Sequence, residues 1–133
     1  LVNDNVSKVS AIKEVRNKMV ALQRKMGKKK AVVLDGRDIG THVFPKAELK
    51  LFMIADPEVR AKRRQDEFSS KGQYYSLKEV EMSLLKRDMA DMNREESPLT
   101  QAEDAIVIDN SDLSRKEQLE FVLKLIEDMQ IMV

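Results

Sequence analysis

Ala31-Val32-Val33-Leu34-Asp35-Gly36-Arg37-Asp38-Ile39-Gly40-Thr41 changes character midway: four apolar residues, then a polar turn with two glycines and the charged pair Arg37-Asp38. A short continuous apolar run is the pattern of a strand buried on both faces, so a strand is predicted over 31–34. Two further apolar runs lie downstream, Leu49 to Ala55, which starts mixed and ends fully apolar, and Ala105-Ile106-Val107-Ile108. Helix signals fill the space around them. Ser10 is expected to cap a helix through Ile12, Val15, Met19, Leu22 and Met26, with Gly27 as its stop. Asp56-Pro57-Glu58 reads as a helix start and Ser69-Ser70-Lys71-Gly72 as its end. Ser76 with Glu79 and Ser114 with Glu117 are capping boxes. The first opens a helix to about Glu95, the second a final amphipathic helix through Leu119, Val122, Leu123, Ile126 and Met129. Strands alternating with helices predict an α/β layered fold with a parallel sheet of about three strands.

Composition narrows the function classes. In 133 residues, 24 Lys and Arg face 23 Asp and Glu, a balance that argues against a basic nucleic-acid arm or a polybasic membrane module. No stretch approaches the ~20 apolar residues of a membrane span, so no membrane partner is expected. The absence of cysteine excludes thiol catalysis and Cys-ligated zinc, and the single His42 excludes a His-rich metal site. No protein-ligated metal is expected, and the composition fits a reducing, cytoplasmic compartment. The polar start Leu1-Val2-Asn3-Asp4-Asn5 has no Met and reads as a cut end.

Three constellations could carry chemistry. The turn after 31–34 sits at the carboxyl end of a predicted parallel strand, where open sheets bind ligands. Gly36 would ease the turn, Arg37 offers a planar fork for phosphate or carboxylate, and Asp38 could accept from an exocyclic amine. A solvated charged turn is the plainer alternative. Arg87, Asp91 and Arg94, spaced by four and three, share one helical stripe. They form either an exposed salt-bridge ladder worth ~0.2–0.5 kcal/mol per pair or a clamp of two guanidinium groups on an anion. Arg60, Lys62, Arg63 and Arg64 crowd the first half of one helix, where a polyphosphate would relieve their repulsion, although Glu58, Asp66 and Glu67 also offset it. His42 is expected to be structural, the eight methionines core fillers, and Lys28–Lys30 a solvated helix end. None of the four glycines belongs to a G-x-x-x-x-G-K-[ST] phosphate loop.

Taken in order, the block from Val32 to Pro45, then Arg87-Asp88, Asp91, Arg94, Pro98-Leu99 and Ala102 to Asp109, resembles bacterial cytidylate kinases over essentially the whole chain. The resemblance implies a partial P-loop nucleoside-monophosphate-kinase fold, three-layered with a parallel sheet. It also implies phosphoryl transfer from ATP, with Mg²⁺, to CMP or dCMP by a monomeric cytoplasmic enzyme. Ser7, Arg16 and Asp38 match cytosine-reading residues, Arg37 and Arg94 the arginines on the CMP phosphate, and Arg87 and Asp91 the pair near the ribose. Residues 1–27 correspond to the end of the monophosphate-binding insertion and the helix after it. About 60–87 corresponds to a short lid whose Arg60, Arg63 and Arg64 would approach the ATP phosphates, and the remainder to the core. By this resemblance Arg63 and Arg94 are the catalytic candidates. His42 and Ser97 depart from the family pattern. The 133 residues are therefore expected to be the C-terminal portion of such a kinase, lacking the P-loop, inactive alone and prone to self-association through an open sheet. The competing readings are a non-catalytic phosphate- or nucleotide-binding module and a monophosphate kinase of different base preference.

Overall fold

The computed structural model describes residues 2–129, apart from the side chains of residues 2–4 and of Ser7. Its elements run α1 (Val2–Ser10), α2 (Lys13–Gly27), a π-turn at Ile39–Val43, β1 (Leu51–Ile54), α3 (Pro57–Ser70), α4 (Leu77–Met92), β2 (Ile106–Asp109) and α5 (Arg115–Asp128). They divide into two units. The first comprises the chain up to Ala47 with Arg87–Glu103, the second Glu48–Lys86 with the chain from Asp104 onward. No helix among the described residues is long and apolar enough to cross a membrane.

The second unit holds the sheet. β1 and β2 pair in parallel, Leu51 opposite Ile106 and Ile54 opposite Asp109, as expected of apolar runs separated by helices. Ile108, Ala61 and Val80 are its buried apolar side chains. Both predicted capping boxes form. The Ser76 N–H donates to Glu79 at 2.8 Å while Ser76 Oγ accepts from the Glu79 N–H at 3.2 Å, and Ser114 with Glu117 repeats both bonds. α4 ends at Met92, three residues short of the expected Glu95. α3 starts after Asp56 with Pro57 in the first turn. The Asp56 side chain makes no capping bond; its N–H instead donates to Ser111 Oγ at 2.8 Å.

The first unit corrects two expectations. Residues 31–34 form no strand: Val33 is 98% exposed, and Lys30 and Ala31 adopt φ of 55° and 51°. Apolar side chains alone do not make a strand, because backbone N–H and C=O groups need a ladder, and no strand among the described residues pairs with this run. The sheet therefore has two described strands rather than three. Ser10 is the last residue of α1 and not the cap of α2, whose N-cap is Ile12 without a side-chain bond. Gly27 ends α2 as expected, but for a packing reason as well. A Cβ there would lie 2.4 Å from the Phe44 ring. Val20 and Val43 are the buried apolar side chains of this unit.

Candidate functional site

The segment after Asp35 is organised by a π-turn. The Asp38 carbonyl accepts from the N–H groups of His42 at 2.9 Å and Val43 at 3.2 Å, and the Ile39 carbonyl from Phe44 at 2.7 Å. Val43, 2% exposed, anchors the turn. Arg24 of α2 holds its far end, donating from Nη2 to the His42 carbonyl at 2.6 Å and from Nε to that of Val43 at 3.2 Å. Gly36 does not adopt a positive φ. It is small because Ile39 Cγ1 would lie 2.9 Å from a Cβ. The turn is therefore not a loose solvated loop. It fixes Arg37 and Asp38 just before its first residue.

Within the same unit, two motifs far apart in sequence converge. Arg37 Nε donates to Asp91 Oδ2 at 3.1 Å across 54 residues, and Arg94 Nη1 lies 3.8 Å from Asp91 Oδ1. Arg16 Nη2 stands 3.6 Å from Asp38 Oδ2, close enough for charge attraction but too long for a hydrogen bond. The carboxylates are buried, Asp38 at 8% exposure and Asp91 at 5%. The α4 stripe is thus no exposed ladder: Asp91 turns inward and reaches Arg37. Among the described residues, two buried polar atoms have no hydrogen-bond partner, Asp38 Oδ2 and Arg87 Nε. Three guanidinium groups, of Arg16, Arg37 and Arg94, face two carboxylates here, which leaves positive charge for an anion. Burial, then the neighbouring Arg16 cation, pulls the Arg94 pKa below its ordinary value, with Asp91 and Asp38 opposing.

Behind the arginines lies the turn after α4. Arg94 Nε donates to the carbonyls of Glu96 at 3.0 Å and Ser97 at 3.1 Å, and its Nη2 to Ser97 again. Arg16 Nε donates to the Glu96 carbonyl at 3.3 Å. A cleft of about 480 Å³ opens beside this cluster, lined by Ala11, Lys13, Ala90, Asp91, Arg94, Glu95 and Glu96. Sequence reasoning missed Arg24 and the Glu96–Ser97 carbonyls. Both act through backbone oxygens, which leave no residue-type signal. Ser7 lies on α1, and its side chain is outside the described residues.

The basic helix of the second unit is partly neutralised from within. Lys62 pairs with Asp66, Arg64 with Glu67 at 2.5 Å, and Lys71 with Glu67 at 2.7 Å. The Arg64 guanidinium also stacks 4.5 Å above the centre of the Phe68 ring. Arg63 has a different role. Its two terminal nitrogens reach Asn110 Oδ1 at 2.9 Å and the carbonyls of Asn110 and Ser111 at 2.7 and 3.3 Å. That places it at the carboxyl end of the parallel strands. Arg60 is half-buried on the same helix. Among the described residues no group of three metal-ligating side chains converges.

The family model for cytidylate kinase matches residues 1–128. The chain is similar to the cytidylate kinase of Flavobacterium psychrophilum, 53% identical over 128 residues, covering 96% of this chain and 57% of that protein. Against the cytidylate kinase of Parabacteroides distasonis it is 55% identical over 123 residues, 92% of this chain and 54% of that protein. The enzyme of that name from Fusobacterium nucleatum is 47% identical over 129 residues, 97% and 59% respectively. The chain thus spans little more than half the length of these curated relatives. The match spans both the π-turn block and the stretch with Arg87 and Arg94, and the chain belongs to the cytidylate kinase family.

Proposed function

We propose that this chain supplies the acceptor-nucleotide site and the lid of an enzyme that transfers the γ-phosphoryl group of MgATP to CMP or dCMP, giving CDP or dCDP. The observation that carries the proposal is the convergence of Arg37, Asp91 and Arg94 beside Arg16 and Asp38. A nucleoside monophosphate offers what such a cluster needs: a dianion for the guanidinium groups and a hydrogen-bonding base for the carboxylate.

In this reading Arg37 and Arg94 bind the CMP phosphate and hold one oxygen toward the donor. Asp38 accepts a hydrogen from the cytosine 4-amino group, which uracil replaces with an acceptor, and Arg16, with Ser7, completes the base contact. Asp38 Oδ2, buried with no hydrogen donor among the described residues, is the atom suited to that bond. Arg87 and Asp91 serve the ribose. The CMP phosphate oxygen attacks the γ-phosphorus while the bond to the β-bridging oxygen breaks, and ADP leaves. Positioning and charge stabilisation supply nearly all of the catalysis. The segment from about 60 to 87 acts as the lid, and Arg63, with Arg60 and Arg64, meets the donor phosphates as closure excludes water. Mg²⁺ arrives with ATP. Such substrates place the reaction in the cytoplasm.

Calorimetry with CMP, UMP and AMP tests the assignment. CMP should bind most tightly, Arg37→Ala should weaken all three nucleotides, and Asp38→Ala should cost about tenfold or more for CMP while narrowing its lead over UMP. Equal affinities across the three bases would count against the cytosine reading. These 133 residues contain no G-x-x-x-x-G-K-[ST] sequence, so by themselves they are expected to bind CMP without forming CDP. Detecting ATP-dependent CDP with the purified chain would overturn that part.

A further inference from the structure

Three non-glycine residues among those described have φ near +50°: Lys30, Ala31 and Ser97. The first two are exposed, whereas Ser97 is half-buried behind the arginine cluster. Ser97 is also the residue before Pro98, a position that proline pushes toward extended backbone. A left-handed serine before proline is unfavourable twice over, and such conformations persist where surrounding contacts over-determine them.

The contacts are those of the cluster itself. The φ of Ser97 is one of the torsions that set the Glu96 carbonyl relative to that of Ser97. At φ of 51° the two oxygens share Arg94, whose Nε reaches both and whose Nη2 reaches that of Ser97, while Arg16 Nε reaches the Glu96 oxygen. The turn is closed behind them by the Leu99 N–H on the Asp91 carbonyl at 2.8 Å. Each arginine meanwhile keeps another nitrogen near a carboxylate, Arg94 Nη1 near Asp91 and Arg16 Nη2 near Asp38. Two like charges are held side by side before any anion arrives.

We propose that Ser97 is a positioning residue: its left-handed backbone turns the Glu96 carbonyl toward Arg16 and Arg94 while its own carbonyl holds Arg94, and so pre-orients the guanidinium pair of the anion site. The consequence for CMP rests on the function proposed above, but the orientation of the arginines does not. An extended residue 97 would swing the Glu96 carbonyl away and release Arg16 Nε–H, while Arg94 keeps the Ser97 carbonyl. Binding would then carry the cost of ordering the Arg16 side chain beside Arg94.

The test compares Ser97→Gly and Ser97→Asn, which tolerate positive φ, with Ser97→Val, which does not. In the unliganded chain the Arg16 and Arg94 Nε–H resonances, assigned with Lys replacements, should exchange slowly with water in the parent, Gly and Asn forms. The Arg16 resonance should be lost in the Val form while far-UV circular dichroism stays unchanged. CMP and UMP affinities should fall together about tenfold in the Val form and stay within about twofold in the Gly form. Retention of the Arg16 resonance in Ser97→Val, or its loss in Ser97→Gly, overturns the positioning role. If the Val form loses its helical signal, Ser97→Ala takes its place, and a rank of Gly and Asn above Ala is required. A parent chain that shows the resonances but binds no CMP supports the positioning role and refutes the nucleotide assignment separately.

Discussion

Asp91→Asn isolates one charge at the centre of the cluster, because the amide keeps the size and an acceptor oxygen of the carboxylate. Asp91 lies 3.1 Å from Arg37 Nε and 3.8 Å from Arg94 Nη1. At an effective dielectric near 20 those separations correspond to about 5 and 4 kcal/mol of gross attraction. Most of that does not survive as net stability. The Arg37 side chain is 42% exposed, so water screens the first pair, and dehydrating Asp91 offsets much of the second. What the substitution adds is repulsion, since Arg16, Arg37 and Arg94 would then face only Asp38. A net loss of about 1–2 kcal/mol follows, or a midpoint about 4–8 °C lower. Thermal unfolding followed by circular dichroism measures it, at low salt and again at high salt, where the deficit should shrink. Inorganic phosphate or CMP at about 10 mM should raise the midpoint of the variant more than that of the parent, because the anion replaces the missing charge. A variant as stable as the parent at low salt, or one indifferent to phosphate, would refute the idea that Asp91 neutralises a receptor built for anions.

Gly27→Ala should destabilise the first unit by about 1–3 kcal/mol in chemical denaturation, because the new methyl would meet the Phe44 ring at 2.4 Å; an unchanged midpoint would show that Phe44 moves aside freely. Acid should act through the capping boxes. Hydrogen bonds from Ser76 and Ser114 hold the Glu79 and Glu117 carboxyls below the ordinary 4.5. A depressed carboxylate stabilises the fold above its unfolded pKa and loses that contribution as pH falls through the folded value. The unfolding midpoint should therefore be level from about pH 7 to 5 and decline below 4.5. The double replacement Glu79→Gln, Glu117→Gln, which keeps the boxes, should make the decline shallower.

Local signals were legible where the physics is local. The boxes at Ser76 and Ser114 and the proline start at Pro57 appear where the chain writes them, since a cap needs only residues three apart. β1 and β2 were legible as apolar runs between helices. Val32-Val33 has the same composition as those runs and no strand, because a strand is a relation between two segments, and side-chain character records only one of them. The cluster was half legible. Arg37, Asp91 and Arg94 could each be singled out by type and spacing, but that Asp91 joins the two motifs depends on the geometry of the first unit. The parts of Glu96 and Ser97 were invisible because carbonyl oxygens common to every residue play them, and that of Arg24 because its guanidinium donates to such carbonyls.

The π-turn at Ile39–Val43 has a consequence for chain length rather than composition. Two of its bonds close over five residues, Val43 to Asp38 and Phe44 to Ile39, beside one from His42 to Asp38 that closes over four as an α-turn does. Such a turn is equivalent to an α-turn carrying one inserted residue. Removing any one residue between Ile39 and Val43 would let the backbone relax to the commoner spacing and rotate everything before it by about 100° relative to everything after it. Arg37 and Asp38 would then point away from Asp91 and Arg16 while Phe44 stayed against Gly27. Side chains along this stretch can vary within their packing, but its residue count is fixed, so a connecting segment that resembles an ordinary loop should accept substitutions far more readily than deletions.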